Sequence, residues 1–178
     1  MKFAILHLSD IHIKNTENHV FDKVNEIINS IKNKLFDEKF LFIVTTGDIA
    51  NTGNNQEYNE AINFYKKLEE ELAIYLKDLS IKFIFSPGNH DCDFSISNDI
   101  RELVLEKINK DDFEIDNIKK DYISNCVSVQ ENYFNFKSEL EDKSAIYEPL
   151  NSSLFTRYEF KLDDYIIAFN SYNFSFMS

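Results

Sequence analysis

Three short apolar runs, each ending in a knot of polar residues, set the frame of this chain. Phe3-Ala4-Ile5-Leu6-His7-Leu8 is apolar on both alternating faces, the pattern of a strand buried in a parallel sheet. Phe40-Leu41-Phe42-Ile43-Val44-Thr45 and Ile81-Lys82-Phe83-Ile84-Phe85 read as a second and a third strand. Between the first two runs, Val20, Val24, Ile27, Ile28, Ile31 and Leu35 keep the spacing of one buried helical face and predict a helix over 20–36. Tyr58, Ala61, Ile62, Tyr65, Leu68 and Leu72 predict a second helix over 57–77. The order β-α-β-α-β gives a parallel sheet with covering helices, because strand-to-strand crossovers are right-handed.

The character changes after Cys92. Residues 98–110 and 117–141 read as helices with acidic outer faces and with Leu103, Val104, Ile108, Ile123, Val127 and Phe134 turned inward. The stretch 92–150 is expected to be a helical insertion or cap, with a partner surface or structural filler as the other readings. Residues 154–162 and 164–170 then predict two antiparallel strands joined by a tight turn.

In parallel sheets, ligands bind outside the carboxyl ends of the strands. All three polar stretches begin there: Leu8-Ser9-Asp10-Ile11-His12, Thr46-Gly47-Asp48 and Pro87-Gly88-Asn89-His90-Asp91. Gly88 lets the chain turn sharply, so that the polar side chains after it can converge. Asp10 and His12 are two apart, so in extended backbone both point the same way and can grip one divalent ion. Asp48 has two oxygens and can bridge two ions, and Asn89 offers a neutral amide oxygen. Mixed oxygen and imidazole ligation suits manganese, iron or zinc, and magnesium less well. Two such ions can orient a phosphate ester and generate the attacking hydroxide. His90 would stand beside them, to protonate the leaving oxygen or to stabilise charge on the phosphoryl group.

Composition narrows the partners. The 178 residues fit one domain, and a hydrophobic fraction of 43% excludes disorder as the default state. A net charge of −12 repels long duplex nucleic acid, although much of it is solvated helix face. Only Arg101 and Arg157 can offer a bidentate fork to a phosphate, so metal ions are the natural way for this chain to hold one. Cys92 and Cys126 form no C-x-x-C pattern, no apolar run is long enough to span a membrane, and residues 1–8 are too short for a signal peptide. The expected location is the cytoplasm.

Asp10-Ile11-His12, Gly47-Asp48 and Gly88-Asn89-His90-Asp91, in this order after strands, resemble the first three motifs of the calcineurin-like metallophosphoesterases. The resemblance covers residues 1–93 well and the remainder loosely. It implies an α/β fold of the metallophosphoesterase type, a two-sheet sandwich flanked by helices (α/β/β/α). It also implies a binuclear centre in which Asp10 and His12 bind one ion, Asp48 bridges, Asn89 binds the second and His90 is the catalytic histidine. The loop Gly47-Asp48-Ile49-Ala50-Asn51-Thr52-Gly53 lacks the arginine that phosphoprotein phosphatases carry after their Gly-Asp. It is more similar to the bacterial cyclic-nucleotide phosphodiesterase-like branch, which implies a small phosphodiester such as a nucleotide as substrate.

The family also uses a later strand-end histidine and a Gly-His-x-His motif, whereas the four histidines here are His7, His12, His19 and His90. The expectation is therefore an incomplete domain, 1–178 being the N-terminal part of a longer protein, weak or inactive by itself. A non-catalytic phosphoesterase-like scaffold is the alternative, and the presence of His90 argues for the enzyme. Among the other candidates, His7 reads as a core histidine in a buried strand that can support the metal ligands from behind. Asp91 orients His90 or closes the turn, and His19 lies exposed near a helix start. Asn51 and Asn54 are turn formers that can reach substrate. Tyr122, Tyr133, Phe134 and Phe136 read as helix core before base-stacking, and nothing marks Cys92 as a nucleophile.

Overall fold

A computed structural model describes residues 2–15, 20–35, 37–76, 78–109 and 120–178. Strands β1 (Lys2–Leu8), β2 (Glu38–Thr46) and β3 (Ser80–Ser86) form a parallel sheet in the order β1-β2-β3. The crossovers are α1 (Val20–Ile31) and α2 (Asn55–Tyr75). Of the predicted span 20–36, α1 occupies less: residues 32–34 form a turn, and Phe36 lies outside the described residues, as does Lys77 at the end of the second predicted helix. Helix α2 begins two residues before the predicted start, because the Asn54 side chain caps it by accepting from Glu57 N at 3.0 Å.

The parallel register sorts the first sheet into two faces. Leu41, Ile43, Phe83 and Phe85 pack under the helices, against Val24 and Ile28 of α1 and Tyr58, Tyr65 and Leu72 of α2. Phe42 and Ile84 point the other way, into a second three-stranded sheet of β4 (Ile146–Asn151), β5 (Phe155–Leu162) and β6 (Tyr165–Tyr172), all antiparallel. The two-sheet sandwich is thus formed. β4 had no signal in the sequence, because Pro149 interrupts its alternation and its residues from Tyr147 to Asn151 are exposed.

β1 departs from expectation. It is the edge strand, not a strand buried on both faces: Phe3 is 44% and Ile5 54% exposed on the side facing the second sheet, which covers only β2 and β3 there. His7 shares that face and is exposed, so it is not a core histidine.

The stretch 92–150 is divided in its role. α3 (Asp99–Asn109) packs on α4 (Lys120–Val127), burying Val104 while leaving Leu103 58% exposed, contrary to its expected inward position. The single helix expected over 117–141 is broken by a 3-10 turn at Ser128–Gln130, residues 117–119 lying outside the described set. The break is where Gln130 becomes fully buried against Asn173 and Ser175, and where Val129 O accepts from Asp93 N at 2.7 Å. Beyond it, α5 (Glu131–Leu140) joins the main core through Tyr133 and Phe136. Those two aromatics are core, as expected.

The strand-end loops are zipped to each other. Asp10 N donates to Gly47 O, His12 N to Asp48 O and Ile13 N to Ile49 O at 2.8–3.2 Å, and Asn51 N returns a bond to Ile13 O. Gly88 has φ −106°, a conformation open to any residue, so it does not serve the sharp turn expected of it. What it supplies is space. A Cβ there would lie 2.5 Å from Asp48 N, and one on Gly47 (φ +93°) would lie 2.8 Å from Gly88 Cα.

Two stability effects follow. Phe42→Ala, removing a fully buried ring that meets Phe160 and Phe169 at centroid distances of 5.0 and 4.9 Å, should lower the unfolding free energy by about 3–5 kcal/mol in a urea titration. A loss under about 1 kcal/mol, the range of a tolerated repacking, would contradict the sandwich packing. Gly88→Ala should lose roughly 1–3 kcal/mol, because backbone or Asp48 must move to admit the methyl group. An unchanged melting temperature would show that the loops have room to spare.

Candidate metal centre

Asp10 and His12 follow β1, Asp48 follows β2, and Asn89 and His90 follow β3 in a 3-10 turn, Asn89–Asp91. One ligand atom from each of Asp10, His12 and Asp48 lies within 4.8 Å of the other two. The route to this convergence differs from the expected one. Asp10, His12 and Asp48 have φ of +55°, +51° and +54°, so left-handed turns, not strand alternation, swing the side chains together. Asp and His tolerate that region better than most residues, yet each such turn costs on the order of 1–3 kcal/mol unless its surroundings enforce it. Here the backbone bonds between the first two loops do so.

Several of the candidates have a definite partner. The Ser9 hydroxyl donates to Asp10 Oδ2. His7 Nε2 meets Thr46 Oγ1 at 2.7 Å, bracing the ends of β1 and β2 one residue before Gly47. Asp48 Oδ1 accepts from His90 N at 3.0 Å, which sets the third loop against the second. The His90 ring donates Nδ1–H to Asn51 O at 2.8 Å. A carbonyl only accepts, so the proton is on Nδ1 and Nε2 is left for chemistry. The ring stands edge-on to His12, centroids 4.7 Å apart, beside the three donors. Asn89 and His90 are both exposed and share one cleft.

Asp91 does not converge with them. It is fully buried, and of its two expected roles the geometry matches closing the turn. Its Oδ1 accepts from Ile49 N and Ala50 N, both at 3.0 Å, and from Tyr58 Oη at 2.9 Å, while Oδ2 accepts from Gly88 N at 2.8 Å. Burial pushes the carboxyl up from its ordinary range, and the four donors pull against that shift.

The cleft beside His90 has a volume of about 650 Å³, and Asn51, Asn54, Asn89 and Phe94 are among the residues that line it. Among the described residues lining it there is no lysine or arginine. Arg101 is buried, its Nη2 donating to Phe176 O and Ser178 O at 3.0 Å, and Arg157 pairs with Glu159 at 2.7 Å. Neither expected phosphate fork lines the cleft. Cys92 lines it, but burial pushes the thiol up to about 11, away from the thiolate that a nucleophile needs. His19 lies outside the described residues.

Two positions of the cleft had no adequate signal in the sequence. Asn51 holds His90 through its backbone carbonyl, which side-chain identity cannot reveal. Phe94 stands alone between Asp93 and Ser95 in a 3-10 turn, without the periodicity that marks a buried or a presented face.

The donor set can hold a divalent cation, since two carboxylates and one imidazole are within reach of a common point. No helix among the described residues is long and apolar enough to cross a membrane. No curated protein matches the sequence. The family model of the calcineurin-like phosphoesterases matches residues 3–171, from β1 into β6. A match of that extent makes this chain a member of the calcineurin-like phosphoesterase family.

Proposed function

We propose that the donor group of this chain serves metal-dependent hydrolysis of a small phosphodiester, a nucleotide-like ester being the best-suited class, as in the bacterial cyclic-nucleotide branch. The observation that supports this most is the juxtaposition of the Asp10–His12–Asp48 donor group with an imidazole whose Nδ1 is committed to Asn51 O. Asp10 and His12 would hold one ion, and Asp48 would share itself with a second that Asn89 completes from this chain. Manganese, iron or zinc suits these donors, magnesium less so. Bound there, such ions supply charge neutralisation and a nucleophilic water at neutral pH.

The chain's own residues do the rest. The Asn51 carbonyl and the His90 N–H to Asp48 bond fix the ring's position relative to the donors from two sides. Nε2 then faces an ester held at the donors and, when protonated, gives its proton to the leaving oxygen. The monoanionic diester is favoured over a dianionic monoester, because no lysine or arginine is among the described residues lining the cleft. The net charge of −12 also supports avoidance of long duplex nucleic acid.

The test uses the protein expressed from its natural coding frame. Calorimetric titration with Mn²⁺ should show saturable binding that Asp48→Asn weakens by more than the ~10–100-fold typical of losing an outer partner of a ligand. With bis-p-nitrophenyl phosphate, His90→Ala should lower kcat by about 10²–10⁴-fold while leaving Mn²⁺ affinity nearly intact. Equal hydrolysis by the natural protein and both variants would rule out catalysis at this centre. Mn²⁺ binding without any turnover would favour a scaffold instead.

A further inference from the structure

The cleft beside His90 is larger than the reacting phosphate needs. Its volume of about 650 Å³ lies within the range of small-molecule sites, which bury most of their ligand. Its walls are of a particular kind. Asn51, Asn54 and Asn89 bring amides, Ser95 a hydroxyl, Asp93 a carboxylate and Phe94 a single large aromatic ring.

Phe94 is 47% exposed, yet its ring is not loose. The guanidinium of Arg101 sits 5.4 Å from its centroid, and that arginine is itself buried, pinned by the carbonyls of Cys126, Phe176 and Ser178. One side of the ring therefore rests on a fixed cation, and its exposed surface belongs to the cleft. An aromatic ring backed by a cation is depleted of electron density, which favours stacking of an electron-rich heterocycle on the free side. The turn that carries Phe94 is also held: Asp93 Oδ1 accepts from Ser95 N at 3.1 Å, and Asp93 N is tied to Val129 O. The tethering means that little conformational freedom is lost when a ligand stacks there.

The charge of the walls selects further. With a carboxylate and no lysine or arginine among the described residues lining it, the cleft disfavours a second phosphate and suits a neutral group bearing hydrogen-bond donors and acceptors. We infer that this cleft is a nucleobase subsite, with Phe94 as its stacking platform and the side-chain amide of Asn51 as a partner for the base edge. This rests on the phosphodiester reading above, and makes the preferred substrate an ester of a nucleoside with one phosphate, not a nucleoside di- or triphosphate.

The chain has no tryptophan, so Phe94→Trp adds a single fluorophore at the platform. With Mn²⁺ present, adenosine monophosphate should quench it saturably, whereas ribose 5-phosphate, which has the same phosphate and no base, should not. By calorimetry the natural protein should bind adenosine monophosphate roughly five- to hundredfold more tightly than ribose 5-phosphate. Phe94→Ala and the volume-retaining Phe94→Leu should both erase that preference while leaving ribose 5-phosphate affinity unchanged. Equal affinities for the two ligands in the natural protein, or a preference that survives both substitutions, would overturn the subsite. Phe94-dependent binding of adenosine monophosphate that is indifferent to Mn²⁺ would uphold the subsite and count against the metal-centred reading. Absence of binding with or without Mn²⁺ would remove the subsite itself.

Discussion

The carboxylate of Asp91 is the contact on which the arrangement depends. It sits where β2, β3 and α2 come nearest, with no exposure to solvent, and takes four donors from three separate pieces of chain. Removing a charge from water is expensive unless hydrogen bonds replace the lost hydration, and here backbone amides and a tyrosine replace it. The second and third loops are thereby locked to each other. The first loop is locked to the second by its own ladder of backbone bonds. The left-handed turns at Asp10, His12 and Asp48 would relax in an isolated peptide, and this frame holds them in place. The donors Asp10, His12 and Asp48 are thus all on loops, and their placement depends on a buried carboxylate outside their group.

Much of this was legible in advance, for identifiable reasons. Parallel strands with crossover helices leave a strong signature, since runs such as Phe40–Thr45 have few alternative structures. The polar strings after β1, β2 and β3 were informative because strand ends in such sheets meet at one side. What escaped depends on neighbours remote in sequence. Phe3 and Ile5 look as buried as Phe42, and only the reach of the second sheet decides that they are not. Residues 128–130 fit a helix locally, but the burial of Gln130 against Asn173 and Ser175 breaks it. Gly88 stands where turn chemistry would put a glycine, yet its role is to leave space for Asp48. Phe94 has no pattern at all, because a cleft is defined by what surrounds it.

The three asparagines of the cleft divide their work. Asn54 caps α2 with its side chain, Asn51 holds His90 with its backbone, and Asn89 presents its amide beside His90. Turn-forming residues and site residues are therefore the same residues here, so composition alone could not separate structural from functional asparagine. The loops that fix the helix start also fix the imidazole, and a change at either is felt at both.

The two arginines do not line the cleft: Arg101 is turned toward main-chain carbonyls and Arg157 pairs with Glu159. With a net charge of −12, the chain repels anions such as phosphate esters, and only cations held at the donor group would reverse that locally. Proteins that bind phosphates through lysine and arginine lose affinity as salt screens the attraction. In this molecule screening acts on a repulsion, so dissolved salt should bring ligand and protein together faster. The ionic strength of the surroundings then becomes part of how the site is reached.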